Sequence, residues 1–225
     1  MYKTDLHVHT KEVSACAGIT APEVVAEYKK AGYDSIVITN HCTASFFDRH
    51  PELSWESQVD RYLKGYWIAQ ECGKEAGLHV VLGMELTFRE NRNDYLIYGI
   101  DRELLLRHPF PCDLTLKQFW GIADEEGLEI YQAHPFRPHM TIMPVKYLDG
   151  MEIYNGHTKH SSNNPATEIY ARINGLKGIS GSDCHVAENA GTGGILTDEP
   201  VTDSHQLATI LKSGRYELIR SDRVL

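Results

Sequence analysis

The hydrophobic pattern alternates short β-branched runs with longer amphipathic segments along the whole chain. The short runs predict strands over Thr4–Val8, Ser35–Thr39, His79–Gly83, Tyr95–Ile100, Glu129–Gln132, Gly150–Ile153 and Lys177–Ser180. Helices fall between them and carry start signals. The stretch TAPE, Thr20–Glu23, reads as a capping box with proline in the first turn, opening a helix that Gly32 stops. Trp55 to Ala76 places Val59, Leu63, Tyr66 and Gln70 on one face, with Gly77 at its end. TLKQ (Thr115–Gln118), NPATE (Asn164–Glu168) and TDSHQ (Thr202–Gln206) open three more. Alternation of this kind predicts an α/β fold built on parallel strands. Six or seven such units in 225 residues favour an irregular barrel over an open sheet, as a single domain covering 1–225.

The polar residues fall in a pattern on that frame. His7 and His9 sit two apart in the first strand, so both project from one face, with Leu6 and Val8 on the other. The next strand runs into His41, the third into Glu85, the fifth into His134, and the strand near the C-terminus into Asp183 and His185. In parallel β/α folds those strand ends share one rim, where sites are built. Any one of these residues alone reads as a loop-facing polar group; the set reads as a metal centre. Imidazoles and carboxylates without cysteine pairs suit Zn, Mn or Fe. Seven candidate ligands exceed the needs of one open catalytic metal, so two or three divalent ions are expected, with Glu85 available as a bridge. Ion pairs about 3.5–4 Å apart serve in-line displacement at phosphorus. Arg137, three residues beyond His134, is placed for bidentate contact with phosphate oxygens.

Composition narrows the function classes. A net charge of −9 argues against a broad surface for duplex nucleic acid, yet bound cations reverse the local sign for a small anionic substrate. No apolar run reaches the length of a membrane span, and the N-terminus lacks a signal-peptide layout. Five cysteines without paired spacing predict a reduced, cytoplasmic protein. His157, past a strand end, is a candidate to reach substrate or act as general acid, and Asn155 to orient a ligand. His50, His79, His108 and His205 read as surface residues, Cys42 and Cys184 as packing. Phe46, Phe47 and Phe136 read as pocket border, core or lid.

The motifs DLHVHT, ITNH, GMEL, AHP and GSDCH, in that order between Asp5 and His185, resemble those of the polymerase and histidinol phosphatase (PHP) superfamily. The resemblance implies a distorted (β/α)7 barrel with a two- or three-metal cluster and phosphoester hydrolysis by a metal-activated hydroxide. Histidinol phosphate and nucleotides are typical substrates. It implies that His7, His9, Glu85 and Asp183 hold one ion, that Glu85 bridges to a second held by His134, and that His41 and His185 serve a third. Two positions depart from the family pattern. Where many relatives carry a ligand after His-x-His, this chain has KEVSACAG, in which Cys16 is either a thiolate ligand or packing. Where relatives often place histidine before a strand, this chain has Asp94, either a ligand of the second ion or a solvated residue. The expected partner is a small phosphorylated substrate. The alternatives are metal-assisted amide or ester hydrolysis on the same barrel, and a non-catalytic regulatory module.

Overall fold

The structure is a computed structural model and describes residues 1–221. In chain order it runs β1 (Tyr2–Val8), α1 (Ala21–Lys30), β2 (Ser35–Ile38), β3 (His41–Thr43), α2 (Ala44–Phe47), α3 (Trp55–Ala76), β4 (His79–Leu82), β5 (Met84–Thr87) and β6 (Asp94–Tyr98). Then follow α4 (Arg102–Arg107), α5 (Leu116–Glu126), β7 (Glu129–Gln132), β8 (Gly150–Asn155), α6 (Asn164–Ile173), β9 (Lys177–Gly181), β10 (Gly193–Thr197), α7 (Ser204–Ser213) and β11 (Glu217–Arg220). The start signals act as expected. Thr20 and Glu23 form a reciprocal capping box on α1, Thr115 and Gln118 one on α5, and α3 ends at Gly77 with φ 68°. No helix among the described residues is long and apolar enough to cross a membrane.

The strands form two mixed sheets, ordered β11-β10-β1-β2-β4 and β3-β5-β6-β7-β8-β9. The all-parallel expectation fails at two places. The run predicted as Tyr95–Ile100 is β6, antiparallel to both β5 and β7. No helix separates β5 from β6, and parallel pairing needs a crossover of a dozen residues or so. The second is β10, which pairs antiparallel with β1 and with β11, two strands that the hydrophobic pattern did not mark.

β6 reversed has a direct consequence for the site. An antiparallel strand begins at the edge where its parallel neighbours end. Asp94 opens β6 and pairs with Thr87, the last residue of β5, while Glu85 pairs with His41 across β3. A residue at a strand start thereby joins the rim built from strand ends.

Besides the large cluster of Met84, Leu86, Tyr95 and Ile97 with α3 residues Val59, Tyr62 and Leu63, apolar side chains fill two further layers of the sheet region. Val37, Val81, Leu96, Tyr131 and Ile179 pack in one cluster, and Ile36, Ile38 and Val80 in another with α1 residues Val24, Val25 and Tyr28. β1 breaks simple alternation: its register shifts between Asp5 and Val8, so Leu6 joins the first cluster and Val8 the second. At this bulge the His7 N–H donates to the Asp5 carboxylate (3.1 Å). The same Asp5 oxygen accepts from the Ser182 N–H (3.0 Å), and its other oxygen from the Tyr28 hydroxyl (2.8 Å). Asp5 is fully buried and fastens the start of the chain to the segment carrying Asp183.

Asp5→Ala strands those donors. At about 1–3 kcal/mol for a buried polar group left unsatisfied, the expected loss is roughly 3 kcal/mol. It is read as a lower urea midpoint at unchanged m-value with EDTA present. Asp5→Asn, which keeps an acceptor for both backbone N–H groups, loses less than half as much; equal losses would refute this account of the bulge.

Candidate metal centre

The seven strand-end residues and Asp94 converge. Glu85 is completely buried, and its oxygens lie 3.2 Å from His7 Nε2, 3.3 Å from His9 Nε2, 2.8 Å from His41 Nδ1 and 3.2 Å from His134 Nε2. Asp183 Oδ1 lies 3.5 Å from both His7 Nε2 and His9 Nε2 and 3.1 Å from His185 Nδ1. Donor atoms gather within 4.8 Å of one another in four overlapping groups: His7, His9, Glu85; His7, His134, Asp183; Glu85, Asp94, His134; and His9, His41, His185. Two of these residues adopt left-handed backbone, His134 at φ 28° and Asp183 at φ 52°. Neither is glycine, and such strain persists where the surroundings over-determine the geometry, as at functional sites.

Whether these residues suit cations is tested by their leftover valences. His7 Nε2, His9 Nε2, Glu85 Oε2 and His134 Nδ1 are buried without an aligned hydrogen-bond partner. Of the short contacts around Glu85, that of His134 Nε2 with Oε1 (3.2 Å) has hydrogen-bond geometry, while those of His7, His9 and His41 bring charge together without completing a hydrogen bond. Buried groups in this state are costly, and lone pairs turned toward a common centre are what a divalent ion satisfies. The donor set fits.

Electrostatics agree. Burial alone would raise Glu85 and Asp183, but the neighbouring histidines, with Arg137 beside Asp183, hold both well below the usual carboxylate range. Burial works against a charged His7, yet the carboxylates of Glu152, Glu85 and Asp183 push it well above its usual value. His9 goes the other way, lowered by burial and by His185 and His41, so it stands neutral with a lone pair to offer. Asp94 is raised by burial and by Glu85, and accepts a hydrogen bond from the Thr87 hydroxyl (2.5 Å). Cys16 lies in the same neighbourhood; burial raises its thiol, but hydrogen bonding to His185 and His41 wins and brings it to about 6.

Arg137 is already engaged. Its Nη2 donates to Asp183 Oδ2 (2.7 Å), Asn155 Oδ1 (3.1 Å) and the Ser162 hydroxyl (3.1 Å), leaving Nε buried and unpartnered. His157 is buried, and its Nδ1 accepts from the Lys159 N–H (3.1 Å). Burial dominates its titration and brings it down to about 4. Two cavities, about 330 and 370 Å³, open on the cluster and share Cys16, His41 and Asp94. One is bordered by Arg137, His157, Lys159 and His160, the other by Phe46 and Arg49. Phe47 instead borders a separate cavity, and Phe136 packs on Tyr170. His50, His108 and His205 pair with carboxylates away from the cluster, and His79 is exposed. Cys42 and Cys184 are buried packing residues.

The residue that sequence reasoning missed is Glu152. It sits in β8, buried, and its Oε1 lies 2.8 Å from His7 Nδ1. Its Oε2 accepts from the His134 N–H (3.0 Å) and the Asn155 side-chain amide (2.9 Å). When a cation takes the place of the proton on His7, such a carboxylate would hold Nδ1 protonated and leave the Nε2 lone pair for the ion. The signal was present: an acidic side chain in the middle of the apolar run GMEIY. Gly181 opposes this pair, since a Cβ there would come within 2.5 Å of His7 Cβ and 2.8 Å of Glu152 Oε1.

Comparison with known proteins follows the same direction. The PHP domain profile matches residues 5–187, and a PHP-associated profile matches 161–216. No curated protein matches the chain. Among solved structures, one similar protein is a two-domain protein from Bacteroides vulgatus containing a predicted PHP-like metal-dependent phosphoesterase (TM-score 0.67, 17% identity, 98% of this chain). This chain spans 65% of that protein's length. Another is PsfC from Pseudomonas syringae (0.68, 18%, covering 99% of this chain and 92% of that one). A third is an amidohydrolase from Chromobacterium violaceum with bound sulfate (0.56, 16%, 96% and 97%). At these identities the likeness is one of fold.

Glu152→Gln offers one oxygen where the carboxylate offers two, and removes the charge behind His7. Losses of about 10–100-fold in metal affinity attend changes to such supporting groups. That loss is expected in calorimetric titration with Zn²⁺ or Mn²⁺, with the circular dichroism spectrum unchanged. Wild-type affinity in this variant would remove Glu152 from the metal centre.

Proposed function

Because the chain belongs to the PHP domain family, we propose that it is a metal-dependent hydrolase of phosphate esters acting on a small phosphorylated metabolite, of the histidinol phosphate or nucleotide class. The observation that carries this reading is the pair of buried carboxylates, Glu85 and Asp183, ringed by histidines with unsatisfied nitrogens beside an arginine. His7, His9, Glu85 and Asp183 would hold one divalent ion. Glu85, Asp94 and His134 would hold a second, and His41 with His185 a third. Zinc, manganese or iron there supplies Lewis acidity toward phosphoryl oxygens and makes water a competent nucleophile at neutral pH.

The chain's own residues do the rest. Arg137 is locked by Asp183, Asn155 and Ser162, so its remaining N–H groups are preorganised for a phosphoryl oxygen without a rotamer search. His157, with Nδ1 accepting from backbone, carries its proton on Nε2 when neutral. A group held near 4 is a poor proton donor at neutral pH. We therefore assign it to hydrogen-bond a phosphoryl oxygen, and solvent water to protonate the leaving group. Lys159, exposed at the cavity mouth, adds positive charge that draws an anionic substrate.

We also read the two sheets as one distorted (β/α)7 barrel in a single domain, with β2 and β3 as one interrupted strand and β4 and β5 as another. The reading rests on the Val8–Cys184 bridge, which ties the end of β1 to the segment after β9, with the His9 N–H donating to the Cys184 carbonyl (3.0 Å).

The test is elemental analysis of purified protein combined with a screen of phosphomonoesters, phosphodiesters and amides, with Zn²⁺, Mn²⁺ or Fe²⁺ restored after chelation. Phosphoester hydrolysis is expected to vanish with EDTA, return with metal, and fall at least about 10³-fold in Asp183→Ala, in the range of losing a main electrostatic element of a site. Amide turnover without phosphoester turnover, or activity indifferent to Asp183, refutes the reading.

A further inference from the structure

Cys42 and Cys112 stand 70 positions apart in sequence and meet inside the protein. Their sulfurs lie 3.7 Å apart, and the Cys112 thiol also donates to the Cys42 carbonyl oxygen (3.3 Å). Both residues are buried. The other thiols sit elsewhere: Cys16 is exposed, Cys72 is half-buried on α3, and Cys184 is buried beyond β9. Packing alone asks for apolar volume at these two positions, not for two sulfurs in contact. Cys42 belongs to β3, paired in register with Leu86 of β5. Cys112 belongs to a single turn, Pro111–Asp113, between α4 and α5. That turn is entered through Phe110 at φ 54°, left-handed backbone that is costly for a bulky side chain and recurs in switch segments. Cys112 also borders a cavity of about 280 Å³, together with Phe47, Pro51, Leu53 and Phe110, which gives a small molecule a route to the pair.

We propose that Cys42 and Cys112 form an oxidation site, in which hydrogen peroxide converts the two thiols to a disulfide and thereby loosens the cation held at His41. The sulfur of Cys112, on the cavity side, attacks one peroxide oxygen; the O–O bond breaks, and the hydroxide released takes up the thiol proton as water, leaving a sulfenic acid. The sulfur of Cys42 then attacks the sulfenic sulfur, the S–O bond breaks, and a second water leaves with the Cys42 proton. The two thiols together lose two electrons, the peroxide gains two, and the products are one S–S bond and two waters. Closing that bond brings the sulfurs from 3.7 Å to about 2.05 Å. His41 is the neighbour of Cys42 on β3, and its Nδ1 lies 2.8 Å from Glu85, so a pull on β3 misplaces this ligand candidate. The effect on the cation rests on the metal-centre reading above; the disulfide does not.

Purified full-length protein, freed of metal, is treated with hydrogen peroxide, alkylated with iodoacetamide in urea, digested and mapped by mass spectrometry. The expected result is a linked Cys42–Cys112 peptide, two hydrogens lighter than its separate halves, which dithiothreitol splits. Both thiols alkylated after treatment, or oxidised only to sulfinic acid, overturn the proposal; this arm uses the wild type, so it holds whether or not a variant folds. Calorimetric titration with Zn²⁺ then compares reduced and oxidised protein. Affinity at one position is expected to fall about 10-fold or more on oxidation and to return after reduction and removal of the reductant. Cys112→Ser treated in the same way keeps its affinity, which separates the disulfide from oxidation of the exposed Cys16. A disulfide formed with zinc affinity unchanged, or an equal loss in Cys112→Ser, overturns the link to His41. Zinc bound by neither form overturns the metal-centre reading, while the linked peptide still decides the disulfide.

Discussion

A carboxylate with no access to water sits at the middle of this molecule, within 3.3 Å of a nitrogen on each of four histidines. Taking a charge such as Glu85 out of water costs several kcal/mol unless opposite charge compensates it. Protonated imidazoles supply that compensation in part, as the opposed shifts of His7 and His9 show: one ring is driven to hold a proton and the other to shed it. The histidines cannot all be charged at such separations, nor can they satisfy all the oxygens while neutral. Metal cations would resolve the conflict, and the PHP domain family to which the chain belongs is metal-dependent.

The surrounding structure reads as a means of holding that conflict in place. Glu152 acts from behind His7 and His134, Asp5 from behind the β1 bulge, and Arg137 from behind Asp183. Each fixes a ligand candidate through a partner that is itself buried or hydrogen-bonded several times. Left-handed backbone at His134 and Asp183 shows that local preference yields to this scaffold.

Much of this was legible in the chain. The helices announced themselves by their caps, and α3 runs over the residues its periodicity predicts. The ligand candidates were found by following apolar runs to their ends, because that rule depends only on parallel topology. Legibility failed where a local pattern has two three-dimensional meanings. The β6 run looks the same in either direction, so its reversal was hidden, and with it the geometric reason for Asp94 to join the rim. The β1 bulge was equally hidden, since alternation in LHVH is perfect on paper while Leu6 and Val8 enter different clusters. Glu152 stood in plain view as an acid in an apolar strand, but its target, His7, is 145 positions away. Cys16 was seen and left open, because nothing nearby in sequence says what its thiol faces.

The position of β1 between β2 and β10 bears on biogenesis. The first histidines leave the ribosome long before Glu152, Asp183 and the β10 strand that flanks them. Until those arrive, the nascent N-terminal segment has two imidazoles, an unpaired edge and no enclosed coordination sphere. Contacts this distant in sequence also slow folding. Cofactor loading is therefore expected to be complete only after these later segments have been made.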